Sequence, residues 1–256
     1  MTTSPDPTTS TTTALVTGGS RGLGRATALA LADAGVDVVV TYRNGAGDAD
    51  AVVGEIGARG RRGTALRLDT TDMSSFPAFR DAVRDRLPDG RFDILVNNAG
   101  TALYSQLSEV TEDEVDQVLA VHLKGPLFLT QTLEPLLRDG GRIINVSTAL
   151  TRMAFPRSGP YAAAKGALEV LTRYQALEYG ERGITANVVA AGAVPTDFGG
   201  GHLRSDPGLQ QVMIDSAALR RLATPEDIGS AIVGLATASG SWITGQRIEA
   251  SGGVRL

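Results

Sequence analysis

Cysteine is absent from this chain of 256 residues, and its absence removes several kinds of chemistry. Without thiols there are no disulfides, no thiolate metal ligands and no cysteine nucleophiles. Histidine is scarce as well: His122 and His202 are the only two, so a histidine-based metal cluster is not expected and no metal site is predicted. The lack of cysteine is compatible with a reducing cytoplasm, where we expect the protein to be located.

Long apolar stretches and strong net charge are also missing. No uninterrupted apolar run approaches the roughly 20 residues of a membrane helix. The 24 basic and 28 acidic residues leave a formal charge of −4, and no basic run suggests a nucleic-acid surface. Residues 1–13 contain neither an apolar core nor Lys or Arg, and are predicted to form a disordered tail rather than a targeting peptide. Neither a membrane nor a nucleic acid is an expected partner.

The chain does contain a regular alternation of short apolar strands and helices. Strands are predicted at 14–17, 36–41, 64–68, 94–97, 142–146, 184–189 and 247–250, with helices ending near Gly35 and at 49–58, 76–87, 112–137 and 161–179. Strands that are apolar throughout are buried on both faces. The pattern therefore predicts an α/β protein with one parallel sheet, helices on both faces, and a single domain over residues 14–256.

Residues 190–220 depart from this alternation. They are rich in glycine and proline and include three consecutive glycines at 199–201. We predict a loop with a short helix that closes as a lid over a site at the carboxyl ends of the strands, where open α/β sheets bind ligands. An ordinary surface excursion is the alternative.

A glycine-rich turn, Thr-Gly-Gly-Ser-Arg-Gly-Leu-Gly at 17–24, joins the first strand to the first helix. Gly18 lets the chain turn, Gly22 lets the backbone approach a pyrophosphate, and Gly24 lets the helix pack close to the sheet. The helix N-terminus supplies N–H donors and partial positive charge to phosphates. A glycine turn between a strand and a helix predicts a dinucleotide site.

The end of the second strand indicates which dinucleotide is bound. A carboxylate there would accept hydrogen bonds from the free ribose of NAD, but the chain has Arg43 and no acidic residue before Asp48. The planar fork of Arg43, together with Arg21 in the glycine turn, can pair with a 2′-phosphate. We therefore predict NADP(H) as the cofactor; the alternative is that both arginines are merely solvated.

Tyr161 and Lys165 are four residues apart in a predicted helix. At about 3.6 residues per turn they share one face. A lysine ammonium beside a phenol favours the phenolate, which makes the tyrosine a usable proton donor and acceptor near neutral pH. Such a pair is otherwise an exposed structural feature at the start of a helix.

Taken together, residues 14–256 resemble the short-chain dehydrogenase/reductase family. The matching segments, in the family's order and spacing, are the glycine turn, Asn-Asn-Ala-Gly at 97–100, the hydroxyls at 147–148 and Tyr161 with Lys165. The resemblance implies a Rossmann-type, doubly wound parallel sheet of about seven strands and NADP-linked carbonyl reduction or alcohol oxidation. It also implies a homotetramer, or a homodimer, built on the two long helices.

The resemblance implies the cofactor contacts too. Asp69 would be a partner of the adenine, Thr196 a contact of the nicotinamide carboxamide, and Lys165 a ligand of the nicotinamide ribose. The whole set is Gly18, Ser20, Arg21, Gly22, Leu23, Gly24, Arg43, Asp69, Asn98, Ala99, Gly100, Tyr161, Lys165, Gly192, Val194 and Thr196.

Three positions depart from the family pattern. The catalytic serine of the family lies thirteen residues before the tyrosine; that spacing favours Thr148, and Ser147 beside it remains the alternative. His122 replaces an asparagine whose backbone carbonyl helps to hold a water in the family, and its side chain either carries protons itself or is simply packed. Ala191 stands where a Pro-Gly turn is common before the lid, and Gly192 still permits the turn.

These residues predict a mechanism and a function. Tyr161 donates a proton to the ketone oxygen, Thr148 donates a hydrogen bond, and Lys165 passes protons toward His122. The expected activity is NADPH-dependent reduction of a ketone, either small to medium and apolar or of the 3-oxoacyl or polyketide type, to a secondary alcohol. An NAD-linked alcohol dehydrogenase and a non-catalytic dinucleotide-binding regulator are the alternatives. Candidates for an apolar substrate wall are Gln106, Leu150, Met153, Phe155 and Phe198.

Overall fold

The computed structural model describes residues 11–256, in which seven strands form one parallel sheet. The strands are β1 (Thr13–Val16), β2 (Asp37–Tyr42), β3 (Gly63–Arg67), β4 (Phe92–Asn97), β5 (Leu137–Thr148), β6 (Thr185–Ala191) and β7 (Arg247–Ala250). Their order across the sheet is β3-β2-β1-β4-β5-β6-β7. β1 begins one residue before the predicted domain boundary, and most of the predicted tail, residues 1–10, lies outside the described residues.

Helices cover both faces of the sheet. They are α1 (Gly22–Asp33), α2 (Ala46–Ala58), α3 (Phe76–Arg86), α4 (Glu112–Leu119), α5 (Gly125–Leu133), α6 (Gly159–Glu178), α7 (His202–Ser205), α8 (Pro207–Ser216) and α9 (Pro225–Ala236). Alternate residues of β1 point to opposite faces: Val16 packs in the core under α1, α2 and α9, and Leu15 in the core under α3, α5 and α6. The predicted doubly wound α/β architecture is confirmed.

The single long helix predicted over residues 112–137 is wrong. The chain leaves α-helical geometry at the π-helical segment Ala120–Lys124, resumes it in α5, and enters β5 already at Leu137. Pro126 has no N–H to offer the carbonyl of His122 four residues earlier, so regular α-helical hydrogen bonding is interrupted there. The interruption places His122 at a distortion of the backbone rather than inside a regular helix.

Helix α9 was not predicted, although the sequence signals it. The Thr224 side chain accepts a hydrogen bond from the amide of Asp227, and the Asp227 carboxylate accepts one from the amide of Thr224. α9 packs closely on α1, since a Cβ on Gly229 would lie 3.0 Å from the carbonyl oxygen of Ala26. This pairing closes the core beneath the glycine turn.

The segment predicted as a lid holds a short helical turn, α7 and α8. Gly199, Gly200 and Gly201 all have left-handed backbone angles, with φ of 64°, 75° and 74°. A residue with a Cβ is strained in that region, so these three positions require glycine.

Buried amides tie the central strands to the helices. Asn97 donates to the side-chain oxygen of Asn145 at 2.8 Å, and Asn145 donates to Thr172 and Gln175 of α6, both at 2.8 Å. Because unpaired polar groups are costly inside a core, this connected set specifies how α6 lies across β4 and β5.

Candidate active site

The predicted functional residues meet at one edge of the sheet. Parallel strands place their carboxyl ends together, and the order of this sheet reverses direction between β1 and β4. The glycine turn follows β1, residues 97–100 end and follow β4, Thr148 ends β5, and residues 192–196 follow β6. Segments far apart in the chain thus surround one crevice.

The glycine turn is shaped as a phosphate cradle. A Cβ on Gly24 would lie 2.1 Å from the carbonyl oxygen of Gly18, so only glycine allows α1 to begin so close to β1. Gly18 and Gly22 have positive φ angles of 64° and 53°. A Cβ on Gly22 would contact Thr196 at 3.8 Å, which places Thr196 beside the turn.

Thr17, which the sequence did not single out, braces this cradle. Its hydroxyl accepts hydrogen bonds from the amides of Asn98 and Ala99 at 2.9 and 3.0 Å. The Asn98 side chain in turn donates to the carbonyls of Thr17 and Gly18 at 2.8 and 3.2 Å. Asn98 and Ala99, both predicted cofactor contacts, therefore also hold the turn in shape.

Gly192 has a different role from the one predicted. Its φ angle is not positive, so no special turn conformation requires glycine there. A Cβ at this position would lie 2.7 Å from the Cα of Ser251. Close approach of two backbone segments, rather than turn geometry, explains the glycine.

Basic residues gather at the ends of β2 and β3. Arg21 and Arg43 are exposed, and Arg67 donates to the backbone carbonyl of Arg43 at 3.4 Å. Asp69 accepts two hydrogen bonds from Thr71, at 2.7 and 2.9 Å. Burial tends to raise the pKa of Asp69, but these bonds and the charges of Arg43 and Arg67 hold that pKa below its usual value. The ends of β2 and β3 thus present two guanidinium groups and one ionised carboxylate, and Arg21 adds an exposed guanidinium on the glycine turn.

Thr148 and Ser147 point in different directions, as successive residues of a strand must. The Ser147 hydroxyl donates to the Glu169 carboxylate at 2.7 Å. The Thr148 hydroxyl instead lies beside Tyr161, where it acts to lower the pKa of the phenol, and accepts a hydrogen bond from the amide of Leu150 at 3.3 Å. Geometry therefore supports the choice of Thr148 that the spacing favoured.

Tyr161 lies in the first turn of α6, where Pro160 fits because it needs no intrahelical N–H partner. Its side chain is buried, with 9% of the residue exposed. Burial raises the pKa of Tyr161 above its usual value, Tyr104 adds to the rise, and the neighbouring Thr148 hydroxyl opposes it. Burial therefore outweighs the neighbouring charges, and the phenol rather than the phenolate is the stable form.

Lys165 is directed at the sheet. Its ammonium donates to the backbone carbonyl of Val146 at 2.7 Å, and only 4% of the residue is exposed. Burial lowers the pKa of Lys165 to about 7, against the opposing attraction of Glu169. The amine thus titrates near neutral pH, where small changes in its surroundings alter its charge.

His122 packs against Tyr161, with ring centroids 5.1 Å apart and the rings nearly perpendicular. Its Nε2 lies 2.7 Å from the carbonyl oxygen of Thr101, and among the described residues its Nδ1 has no hydrogen-bond partner. Burial and the nearby Lys165 lower the pKa of His122 well below its usual value, although the Thr101 contact opposes them. A neutral, buried ring bound to a backbone carbonyl does not support the predicted proton carrier.

Aromatic rings form one wall of the crevice. The ring of Phe198 lies 6.0 Å from that of Tyr161, and the rings of Tyr104 and His202 are also 6.0 Å apart. Tyr104 and Phe198 are both partly exposed. Tyr104 was missed because it lies in a loop with no spacing relationship to Tyr161.

A neighbouring pocket of about 290 Å³ accounts for part of the predicted apolar wall. It is lined by Leu150, Thr151, Arg152, Met153, Ala154, Phe155, Ser158, Gly159 and Ala162. Gln106 is exposed in a turn and does not line this pocket.

Two further properties bear on the kind of site. Within residues 11–256 there is no group of three or more His, Asp or Glu side chains placed to hold a metal ion. Across the same residues, no helix has both the length and the apolar character needed to cross a membrane.

Comparison with known proteins places this geometry in a family. The model described as enoyl-(acyl carrier protein) reductase matches residues 18–255. A short-chain dehydrogenase/reductase of Pestalotiopsis microspora is 35% identical over 251 residues, with 94% of each chain covered. The hydroxynaphthalene reductase-like protein Arp2 of Metarhizium brunneum is 36% identical over 252 residues, which cover 94% of this chain and 93% of that protein.

A solved structure is similar to this chain in both fold and sequence. The angucycline C-6 ketoreductase LanV, crystallised with bound NADP, superposes with a TM-score of 0.89 at 37% identity and 96% coverage of both chains. LanV has also been solved with NADP and rabelomycin, which gives a TM-score of 0.85. From the glycine turn to the Tyr161 and Lys165 pair, this chain belongs to the short-chain dehydrogenase/reductase family.

Proposed function

We propose that the protein is an NADPH-dependent reductase that converts a ketone into a secondary alcohol. The observation that carries this proposal is the convergence of a buried phenol, a hydroxyl and an amine beside a glycine cradle. The Thr148 hydroxyl lies close enough to Tyr161 to influence the pKa of the phenol, and Lys165 lies one helical turn beyond Tyr161. These are the groups that proton delivery to a carbonyl oxygen requires.

The residues present fit a nicotinamide dinucleotide phosphate. Gly18 and Gly22 give the turn its left-handed backbone angles, Gly24 lets α1 begin close against it, and the start of α1 offers N–H donors to a pyrophosphate. Arg43, whose backbone carbonyl accepts a hydrogen bond from Arg67, suits a 2′-phosphate, and Arg21 on the glycine turn is a second exposed guanidinium for it. The NADP bound by LanV supports the same choice.

The cofactor, when bound, supplies the hydride that reaches the ketone carbon. The side chains of the protein stabilise and protonate the oxygen, on which negative charge develops. Thr148 donates a hydrogen bond to that oxygen, and Tyr161 delivers a proton to it. Because burial raises the pKa of Tyr161, the phenol carries its proton at neutral pH, as reduction requires. Lys165 then returns a proton toward Tyr161, since burial lowers the pKa of its amine to about 7.

The substrate we propose is an aromatic or polycyclic ketone of the polyketide type. The Phe198 ring packs beside that of Tyr161, and Tyr104 lies near enough to Tyr161 to help raise its pKa, so the wall beside the phenol is aromatic. Flat aromatic surfaces pack well on such rings. The rabelomycin bound by LanV supports this class.

We further propose a homotetramer or homodimer located in the cytoplasm. Val170, Tyr174 and Leu177 form an exposed apolar stripe along α6, and Phe128 is exposed on α5. Stripes of this kind mark protein interfaces. Light scattering coupled to size-exclusion chromatography measures the oligomer directly, and a monomer at micromolar concentration would contradict this part of the proposal.

The experiment that tests the function follows the loss of NADPH absorbance with a panel of ketones. The panel contains rabelomycin, a bicyclic aromatic ketone, an aliphatic ketone and a 3-oxoacyl thioester. We expect the aromatic ketones to give the highest kcat/KM. Absence of turnover on every member, with NADPH still bound, would favour a non-catalytic nucleotide-binding protein instead.

A further inference from the structure

A partly buried carboxylate that this chemistry does not use lies one helical turn beyond Lys165. The Glu169 side chain is 13% exposed, and its position four residues after Lys165 places both on one face of α6. Its Oε1 accepts hydrogen bonds from the hydroxyls of Ser147 and Thr151, both at 2.7 Å, and lies 3.1 Å from the Nε of Arg247. One oxygen thereby joins α6 to the end of β5, to the loop that follows it and to β7.

Arg247, the ion-pair partner of Glu169, also donates a hydrogen bond to the backbone of Thr148. Its Nη2 donates to the Thr148 carbonyl at 3.3 Å and to the Thr151 hydroxyl at 3.1 Å. Its Nη1 donates to the Glu249 carboxylate at 2.8 Å. The backbone of Thr148 is therefore held from one side while its hydroxyl faces Tyr161 on the other.

The same carboxylate acts on Lys165 through its charge. From α6 the groups that face Lys165 are Tyr161 and Glu169, and from the π-helical segment it is His122. Tyr161 and His122 are neutral near pH 7, because burial shifts both pKa values away from ionisation. Glu169 is then the one carboxylate in this set, and it forms an ion pair with Arg247.

We propose that Glu169, paired with Arg247, is a positioning residue of this active site: it holds the end of β5 against α6 so that Thr148 meets Tyr161, and it sets its negative charge against the Lys165 amine. The first role rests on the proposed reductase function, whereas the second is independent of any substrate. Neither role requires Glu169 to touch the substrate or the cofactor.

The chain offers an unusually direct measurement of the second role. Lys124 and Lys165 are its only lysines. Protein labelled with ¹³C at lysine Cε therefore gives two signals, and Lys124→Arg, a change at an exposed position, assigns them. Following the Lys165 signal against pH reports the charge of its amine without any enzymatic assay.

Two variants should move that titration in opposite directions. Glu169→Gln removes the negative charge, and we expect the Lys165 midpoint to fall by about one pH unit. Arg247→Gln removes the charge that neutralises Glu169, and we expect the midpoint to rise. Glu178→Gln makes the same chemical change as the first variant at an exposed position of α6 and serves as the matched control. Equal midpoints in Glu169→Gln and Glu178→Gln, or shifts of the same sign in the first two variants, would overturn the electrostatic role.

Turnover tests the positioning role. We expect Glu169→Gln to lower kcat about tenfold while the NADPH dissociation constant stays within about twofold of the parent value. Expressing kcat per NADPH-binding site removes any contribution from misfolded protein. A kcat per site equal to that of Glu178→Gln would overturn the positioning role. If the parent protein reduces no ketone, the proposed function fails, and the lysine titration still decides the electrostatic role.

Discussion

The imidazole of His122 and the backbone carbonyl of Thr101 are joined by a contact of 2.7 Å between Nε2 and the oxygen. His122 comes from the π-helical segment, and Thr101 follows the Asn-Asn-Ala-Gly turn that ends β4. The contact therefore fixes the loop after β4 against the helix that passes beneath it. It also orients the ring that packs on Tyr161.

His122→Asn should leave the enzyme active. An asparagine amide can also donate a hydrogen bond to the Thr101 carbonyl. Because the neutral His122 ring does not carry protons in catalysis, replacing it removes no proton-transfer step. We expect kcat and its pH profile to stay within about twofold of the parent. His122→Leu, which removes the donor, should lower the free energy of unfolding by about 1–3 kcal/mol in urea denaturation. A changed pH profile in His122→Asn would restore the histidine as a proton carrier.

Thr148→Val should cost far more activity than Ser147→Ala. Valine keeps the shape of threonine but removes the hydroxyl that meets Tyr161, and loss of such a donor typically lowers kcat by about 10²–10³-fold. Ser147→Ala removes only one of the donors to Glu169, so its effect on kcat should be smaller. Steady-state kinetics on one ketone compares the two, and the reverse order would make Ser147 the catalytic hydroxyl.

Tyr161→Phe should retain NADPH binding and lose turnover. The change removes the proton donor and keeps the ring that packs between His122 and Phe198. General acid catalysis contributes about 10²–10⁴-fold, so kcat should fall by that amount. Fluorescence titration with NADPH checks that the site is intact. Turnover near the parent rate would require a different proton donor.

Arg43→Ala should distinguish NADPH from NADH. A charged hydrogen bond to the 2′-phosphate is worth about 1.5–3 kcal/mol, so the NADPH dissociation constant should rise roughly 10- to 100-fold. NADH, which lacks that phosphate, should bind almost unchanged. Arg173→Ala, at an exposed position of α6, is the control. Tighter binding of NADH than NADPH by the parent protein would contradict the cofactor choice itself.

Ketone reduction should weaken as the pH rises above about 7. The pKa of Lys165 is lowered to about 7, so its ammonium is present below that pH and is lost above it. Tyr161 imposes no limit there, because its pKa is raised. The profile of kcat/KM against pH measures this limb. In Lys165→Arg the side chain stays positively charged at every pH tested, so the residual activity of this variant should not decline above pH 7. A parent kcat/KM that rises above pH 7 would contradict the role of the Lys165 ammonium.

Strands β1, β2, β4 and β6 were predictable because each is a largely apolar run buried on both faces, and this pattern can be recognised without knowing which strands lie beside it. The glycine turn and the pair of Tyr161 and Lys165 were predictable because each is a local spacing with a geometric consequence. Glu169 carried the same kind of signal, four residues after Lys165, and was overlooked. α9 was overlooked in the same way, although Thr224 and Asp227 mark its start.

Other features depend on distant segments and leave no local pattern. Arg247 and Tyr104 reach the site from β7 and from the loop after β4, so neither has a fixed spacing from Tyr161. The direction of the Tyr161 pKa was mistaken for a related reason. Spacing shows that a lysine is near, but the burial that outweighs it is a property of the whole fold.

The left-handed run at Gly199, Gly200 and Gly201 has a practical consequence for laboratory evolution of substrate scope. Randomising those three codons would give mostly variants whose backbone is strained at these positions, whatever their effect on substrate binding. Phe198 and Tyr104 flank the same segment, have ordinary backbone angles and present partly exposed rings to the crevice. Diversity placed at those two positions changes the wall that a ketone meets and leaves the backbone path intact.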